Sequence, residues 1–429
     1  MKSQDADLLA RRQQLLGSAY RLFYDEPVHL VRGEGAWLFD AEGRKYLDMY
    51  NNVAHVGHCH PHVVAAICTQ AGRLNTHTRY LHEHVVNYAE RLTAKFPAEL
   101  DTAMFCCSGS EANELALRLA RSATGRTGVI VTSHAYHGNS QATCEISPED
   151  IPADQLPDYI AVVPAPDCYR GPHRGADAAE HYAAYVDEAI AALRKRGFEP
   201  AAFIADTILS SAGIGVPPPR YLQQVASIIR DAGGLFIADE VQPGFGRTGK
   251  YFWGFEADGF VPDIVTLGKP MGNGHPIAGV VARGDIVATF AKSSGYFNTF
   301  GGNPVSCAAA LAVLDVLEQE SLQDNAREVG DYIVAGLHRL AATHPCIGDI
   351  RGNGLFIALD LVVDRDSKTP ATHLARNLIN GLRDRGVLTS CIGPDNNILK
   401  LRPPLVLTRQ DADHMLDILD AAMLELTPV

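Results

Sequence analysis

Residues 262–279 read PDIVTLGKPMGNGHPIAG, and this stretch decides the fold. Its first half, Asp263 to Leu267, is apolar and β-branched, the composition of a short buried strand. Gly268, Lys269 and Pro270 follow, and then a cluster of Gly, Asn and Pro that marks a turn. A lysine therefore stands where a buried strand ends. Long cationic side chains usually reach water from such places. The other reading is a lysine held at the edge of a pocket to do chemistry.

Working outward, three more runs share the strand composition: TGVIVTS (127–133), AAFIAD (201–206) and GLFIADE (234–240). Helical stretches at 180–195 and 220–232 lie between them. Fully apolar strands separated by helices indicate an α/β fold with a mostly parallel central sheet covered on both faces. Asn303 and Pro304 have the chemistry of a helix cap and first helical turn. Beyond them, GLFIALDLV (354–362) and NNILKLRPPLVLT (396–408) read as a smaller α+β layer. Near the start, residues 28–50 read as strands joined by a hairpin turn at Asp40–Gly43, expected to pack with that tail. The expected organisation is an N-terminal segment over 1–55, a large domain over 56–305 and a small C-terminal domain over 306–429.

Composition narrows the function. The chain has 429 residues, 46% of them hydrophobic, and a formal net charge of −13, which argues against nucleic acid as a partner. No stretch approaches the length of an apolar membrane span. The opening MKSQDADLLARRQQLLG reads as a short amphipathic helix, a lid, a subunit contact or a solvated helix, and not as a secretory signal. Nine scattered cysteines without paired metal spacing fit reduced thiols in the cytoplasm. The histidine-rich HVGHCHPH (55–62) invites a metal reading, but Pro61 breaks the run, and packing is the expectation. No metal site is expected.

Four places carry chemistry. In CCSGSEANELALRLAR (106–121), Ser108, Gly109 and Ser110 open a helix with free N–H groups, which suits a phosphate or an ordinary serine cap. SHAYHGNS (133–140) offers Tyr136 and His137 as a ring-stacking face or as plain loop aromatics. In LFIADEVQPGFGRTG (235–249), Asp239 ends an apolar strand, where parallel sheets bind ligands. A buried carboxylate there needs a partner, and Arg247 is a candidate for a purely structural ion pair. Lys269 is the fourth. A phosphate cradle, an aromatic loop, a strand-end aspartate and a strand-end lysine are together the parts of a pyridoxal 5′-phosphate site.

The order SGSEAN, YHG, DEVQ-x-GFGRTG, PDI-x-T-x-GK and NTFGGNP resembles the class III aminotransferase family, of pyridoxal-phosphate fold type I, over nearly the whole chain. The resemblance implies that Lys269 is the Schiff-base lysine and proton-transfer base. It implies that Asp239 pairs with the pyridine nitrogen and that Gln242 approaches the phenolic oxygen. Gly109 and Ser110 would hold the cofactor phosphate, and Tyr136 would stack on the ring. Thr299 would reach the cofactor phosphate of a neighbouring subunit, which implies a homodimer with shared active sites, extendable to a tetramer.

Two departures bear on the reaction. Where many class III transaminases have IVEP, this chain has IADT, with Asp206 at the acid and Thr207 at the proline. Where they place an arginine before xxPPL to clamp an α-carboxylate, LKLRPPL puts Lys400, with Arg402 two residues on. Lysine is a point charge and lacks the planar fork of arginine. RLFYDEPVHLVRG (21–33), NNVAHVGHCHP (51–61) and GDIRGNGLFIALDLV (348–362) resemble the ethanolamine-phosphate phospho-lyase branch of this class. That resemblance implies a phosphorylated amine substrate and elimination of its phosphate, leaving acetaldehyde and ammonia. Arg21, Asn52, Arg79 and Lys400 are the candidates to hold the substrate phosphate, with surface or interface pairing as their other reading. Longer phosphorylated amines such as phosphohydroxylysine fit as well. The competing readings are an ω-amino or alanine–glyoxylate transaminase with the same cofactor residues, and a non-catalytic binding homologue.

Overall fold

The computed structural model describes residues 3–426. Helix α1 (Ser3–Leu16) comes first, and then three antiparallel strands, β1 (Leu30–Glu34), β2 (Trp37–Asp40) and β3 (Lys45–Asp48). The Asp40–Gly43 turn forms as expected, with Asp40 Oδ1 accepting the N–H groups of Glu42 and Arg44. Helices α2 (Pro61–Ala71) and α3 (Glu83–Thr93) follow.

The central sheet contains β4 (Thr102–Cys106), β5 (Gly128–Thr132), β6 (Ile160–Val163), β7 (Pro200–Asp206), β8 (Leu235–Asp239), β9 (Ile264–Leu267) and β10 (Ala278–Ala282). Their spatial order is β4-β10-β9-β8-β7-β5-β6. The run from β6 to β9 is parallel, and β10 alone opposes its neighbours. Alternate residues of one strand feed separate cores. Ala202 and Ile204 of β7 pack on one face, and Phe203 and Ala205 pack on the other. A strand buried on both faces has no polar side, which is why these segments read as continuous apolar runs.

Helix α4 (Gly109–Thr124) lies directly after β4. Ser108 accepts the Glu111 N–H, and the Glu111 carboxylate accepts the Ser108 N–H at 3.0 Å, a capping box that fixes where the helix starts. The helix Pro304–Gln319 starts at the expected point, with the Asn303 side chain accepting the Ser306 N–H, and it packs on α2 and α3.

The C-terminal part contributes β11 (Ile347–Asn353), β12 (Phe356–Asp364), β13 (Thr369–Pro370), β14 (Val387–Leu388), β15 (Ser390–Ile392) and β16 (Ile398–Leu401). β14 pairs with β3 in parallel, so the N-terminal hairpin and the tail share one sheet. β16 lies between β12 and β15.

Candidate active site

Because β7, β8 and β9 are parallel neighbours, their last residues come out together. Asp206 is opposite Asp239, and Lys269 stands two residues past the end of β9. The sequence expectation for Lys269 and Asp239 rested on this shared end.

Asp239 is held on three sides. Its Oδ2 lies 2.7 Å from His137 Nδ1 and accepts Asn113 Nδ2 at 2.9 Å, and its Oδ1 accepts the Val241 N–H. Burial would raise the pKa of this carboxyl, but the His137 and Asn113 contacts outweigh it and keep Asp239 below the usual carboxylate range. Asn113 also donates to the His137 carbonyl at 2.7 Å, which locks the loop to α4. His137 therefore acts through Asp239, while its neighbour Tyr136 stays partly exposed.

The N-terminus of α4 meets this loop. Glu111 takes the N–H groups of Cys107 and Ser108. The N–H groups of Gly109 and Ser110 donate to no described residue. Ser110 Oγ donates to Asn139 and accepts its N–H. Gly138 sits at φ +137, where a Cβ would lie 2.5 Å from Ser110 Oγ. Gly138 lets the loop close against Ser110, and the free N–H groups form a cradle of the kind that takes phosphate.

A buried polar chain closes the other side. Gln242 Nε2 donates to Ser210 Oγ, Ser210 donates to Asp206, and the Arg402 guanidinium donates to Gln242 Oε1 and, at 3.0 Å, to the Tyr50 carbonyl. The same guanidinium lies over the Tyr50 ring at 4.8 Å, and Phe23 packs on that ring edge-on at 4.9 Å. Glu240, beside Asp239, is pushed up to about 8 by burial, although Gly254 N, Phe255 N and Thr207 Oγ1 all donate to it.

Two lysines face this cluster. Burial, reinforced by the Arg402 cation, lowers the Lys269 ammonium below its usual value against the pull of Asp239 and Asp206. Lys400 is 4% exposed, and its Nζ donates no hydrogen bond to a described residue. Burial, with Arg402 and Lys269 nearby, lowers its ammonium strongly, while Asp206 and Glu149 pull the other way.

Not every expected residue converges. Arg247 does not pair with Asp239. It is fully buried, bonded to the carbonyls of Leu355 and Pro403, and 3.0 Å from His55 Nδ1, so it joins the GFGRTG turn to the C-terminal part. Of the HVGHCHPH histidines, His58 goes to Asp48, His60 to Glu320 and His62 to Asp315, each a different partner. Asn52 is buried with an unpartnered Nδ2. Arg21 lies exposed in the N-terminal strap, and Arg79 lies exposed with its guanidinium 3.8 Å from the centre of the Phe297 ring. Thr299 is also exposed, in a loop tied to Glu111 through Asn298. Sequence reasoning missed Asn113, Ser210, Glu149 and the structural commitment of Arg402. Asn113 left one trace, a lone amide among the buried apolar positions of α4.

This arrangement has close parallels. The family model for class III aminotransferases matches residues 23–423. An alanine–glyoxylate aminotransferase 2-like protein of Drosophila melanogaster is 46% identical over 94% of this chain and 84% of its own length. An ethanolamine-phosphate phospho-lyase homologue of Caenorhabditis elegans is 41% identical over 97% of this chain and 93% of its own. A phospholyase from Arthrobacter, solved in complex with phosphoethanolamine, superposes with a TM-score of 0.94 at 45% identity, covering 97% of this chain and 99% of that one. With its lysine, aspartate and helix-end cradle in place, the chain belongs to the class III aminotransferase family.

Proposed function

We infer that the chain is a pyridoxal-phosphate-dependent phospho-lyase acting on phosphoethanolamine and releasing phosphate, acetaldehyde and ammonia. The residues fit the cofactor. The free N–H groups of Gly109 and Ser110 suit its phosphate, Asp239 is a fixed anion for its ring nitrogen, and Lys269 is the amine that would bind it covalently. When bound, the cofactor supplies an electron sink for a carbanion. Within the protein, burial lowers the proton affinity of Lys269 Nζ, which favours the neutral amine that takes a proton from carbon. Asp239 holds its charge through His137 and Asn113, and Gln242 is kept in one orientation by Ser210 and Arg402.

The observation that carries the lyase reading is the pair Lys400 and Arg402. Arg402 spends Nε on the Tyr50 carbonyl and Nη1 on Gln242, while Lys400 is a buried amine near Lys269 with no hydrogen-bond partner among the described residues. That suits a phosphorylated amine without a carboxylate. Transamination remains the second reading, because the Drosophila relative carries that name and would use the same cofactor residues. Enzyme mixed with O-phosphoethanolamine and no keto acid should release phosphate and acetaldehyde in equal amounts. No release, together with turnover of alanine plus glyoxylate, would replace the lyase reading by transamination.

We also propose a homodimer with shared sites in the cytoplasm. Leu81 is 99% exposed and Phe300 70% exposed. The segments that carry them meet where His77 packs on Tyr80 and Phe297. Apolar patches of this kind favour a protein partner, and Arg79 and Thr299 lie within it. The nine free thiols support a reducing compartment. Among the described residues no helix is long and apolar enough to cross a membrane.

A further inference from the structure

Elimination from a phosphate monoester leaves an electron pair on the ester oxygen. A phosphoryl group already carries about −1.5 to −2 charge at neutral pH. Departure without a proton would create the phosphate trianion, a poor leaving group. Lys269 is occupied in taking a proton from carbon, so a second group must supply one.

The cluster offers few donors. Arg402 does not release protons in proteins, and it is bonded to Tyr50 and Gln242. Asp239 is held as an anion. Asp206 accepts from Ser210 Oγ and from the N–H groups of Ile208 and Ser210. Glu149, its carboxyl pKa raised by burial, stands at the exposed rim, and Glu240 is turned to Gly254, Phe255 and Thr207. Lys400 remains. It sits on β16 between Ala358 of β12 and Ser390 of β15. Its Nζ is 5.6 Å from the centre of the Phe356 ring, and the Arg402 guanidinium is 5.7 Å from the same ring. The charged groups around it are Arg402 on its own strand, Asp206 at the end of β7, Lys269 after β9, and Glu149 from the loop beyond the short helix Gln141–Cys144.

We propose that Lys400 is the general acid of the elimination, donating an Nζ proton to the ester oxygen of the departing phosphate. This rests on the lyase reading. The carbon–hydrogen bond breaks and its proton goes to Lys269 Nζ. The carbon–oxygen bond breaks, its electron pair goes to oxygen, and a Lys400 Nζ–H proton follows. Phosphate leaves as the hydrogen phosphate dianion, and the total protonation of the two lysines is unchanged. Lys400 regains its proton from water. The arriving dianion favours the charged form of Lys400, while burial among cations makes that proton easy to release.

The test compares O-phosphoethanolamine with O-sulfoethanolamine, whose sulfate needs no proton to leave. Lys400→Arg keeps the charge but cannot give up a proton. It should lower kcat on the phosphate ester by about 100-fold or more and on the sulfate ester by less than about 10-fold. Binding of inorganic phosphate, measured by calorimetry, should change by less than about threefold. Lys400→Gln, checked for cofactor absorbance, should repeat the split with weaker phosphate binding. In the wild type, an alkaline fall in kcat should appear with the phosphate ester and be absent with the sulfate ester. Equal losses on both esters, or the same alkaline limb for both, would overturn the proposal and leave Lys400 as a binding group. Wild type that eliminates the phosphate ester but not the sulfate ester would overturn it too. Wild type inactive on both esters would instead remove the lyase reading itself.

Discussion

Replacing Asp360 with Asn should loosen the frame that holds the active-site turn. Asp360 is fully buried and accepts from both terminal nitrogens of Arg170 at 2.6 Å, from Arg351 at 3.1 Å and from Asn397 at 2.8 Å. Arg351 in turn donates to the carbonyls of Gly213 and Ile214, at the end of the turn that carries Asp206 and Ser210. Asparagine would remove the charge and point an N–H₂ group at a guanidinium. Removing one partner of a buried ion pair costs about 3–5 kcal/mol. Arg170 and Arg351 keep 23% and 19% side-chain exposure, and Arg351 keeps Asp349 at 2.7 Å, so the lower end, about 3 kcal/mol, is expected. At a slope near 3 kcal/mol per molar urea, the unfolding midpoint should fall by about 1 M. The loosened turn should also raise KM, because Ser210 orients Gln242. The assay is urea unfolding followed by circular dichroism, with Arg170→Met and the double variant completing a cycle. A midpoint shift under about 0.3 M, or full additivity of the two variants, would refute the clamp.

Asp239 gives a pH prediction. Its folded-state pKa lies below the ordinary one, so the carboxylate contributes stability that is present above about pH 4 and lost as pH falls through the folded value. His137→Phe removes the contact that opposes burial, so the variant should lose about 1.5–3 kcal/mol at pH 7 and less only at a pH well below about 4. Equal losses at both pH values in urea unfolding would count against it. Gly138→Ala should weaken cofactor binding by about tenfold or more, since its Cβ would collide with Ser110 at a backbone geometry that alanine avoids at a cost of about 1–3 kcal/mol. Fluorescence titration of the cofactor-free protein with pyridoxal phosphate would read this, and unchanged affinity would contradict the cradle. Leu81→Asp should turn a dimer into monomers in sedimentation and remove turnover, whereas an intact dimer would clear this face of an interface role.

The strands at 128–132, 200–206, 235–239 and 264–267 were readable because both sheet faces are covered and the runs are apolar throughout. The caps at Ser108 and Asn303 were readable because capping acts within one helical turn. Lys269 and Asp239 stood out because each carries charge at the end of such a run. Arg247 shows where this reasoning stops. Its charge beside the DEVQ motif suggested Asp239, but its guanidinium meets the carbonyls of Leu355 and Pro403, more than a hundred residues away in sequence.

The linear order of residues determined which strands and helices form, and that an amine and a carboxylate end neighbouring strands, because backbone preference and burial act over a few residues. Only the tertiary structure decided that Arg402 is committed to Gln242 across 160 positions, that Lys400 has no hydrogen-bond partner among the described residues near Lys269, and that Arg21 and Arg79 are exposed in the single chain. Those outcomes depend on which chain segments share one buried space, where charge and hydrogen bonding must balance among residues that sequence spacing does not bring together.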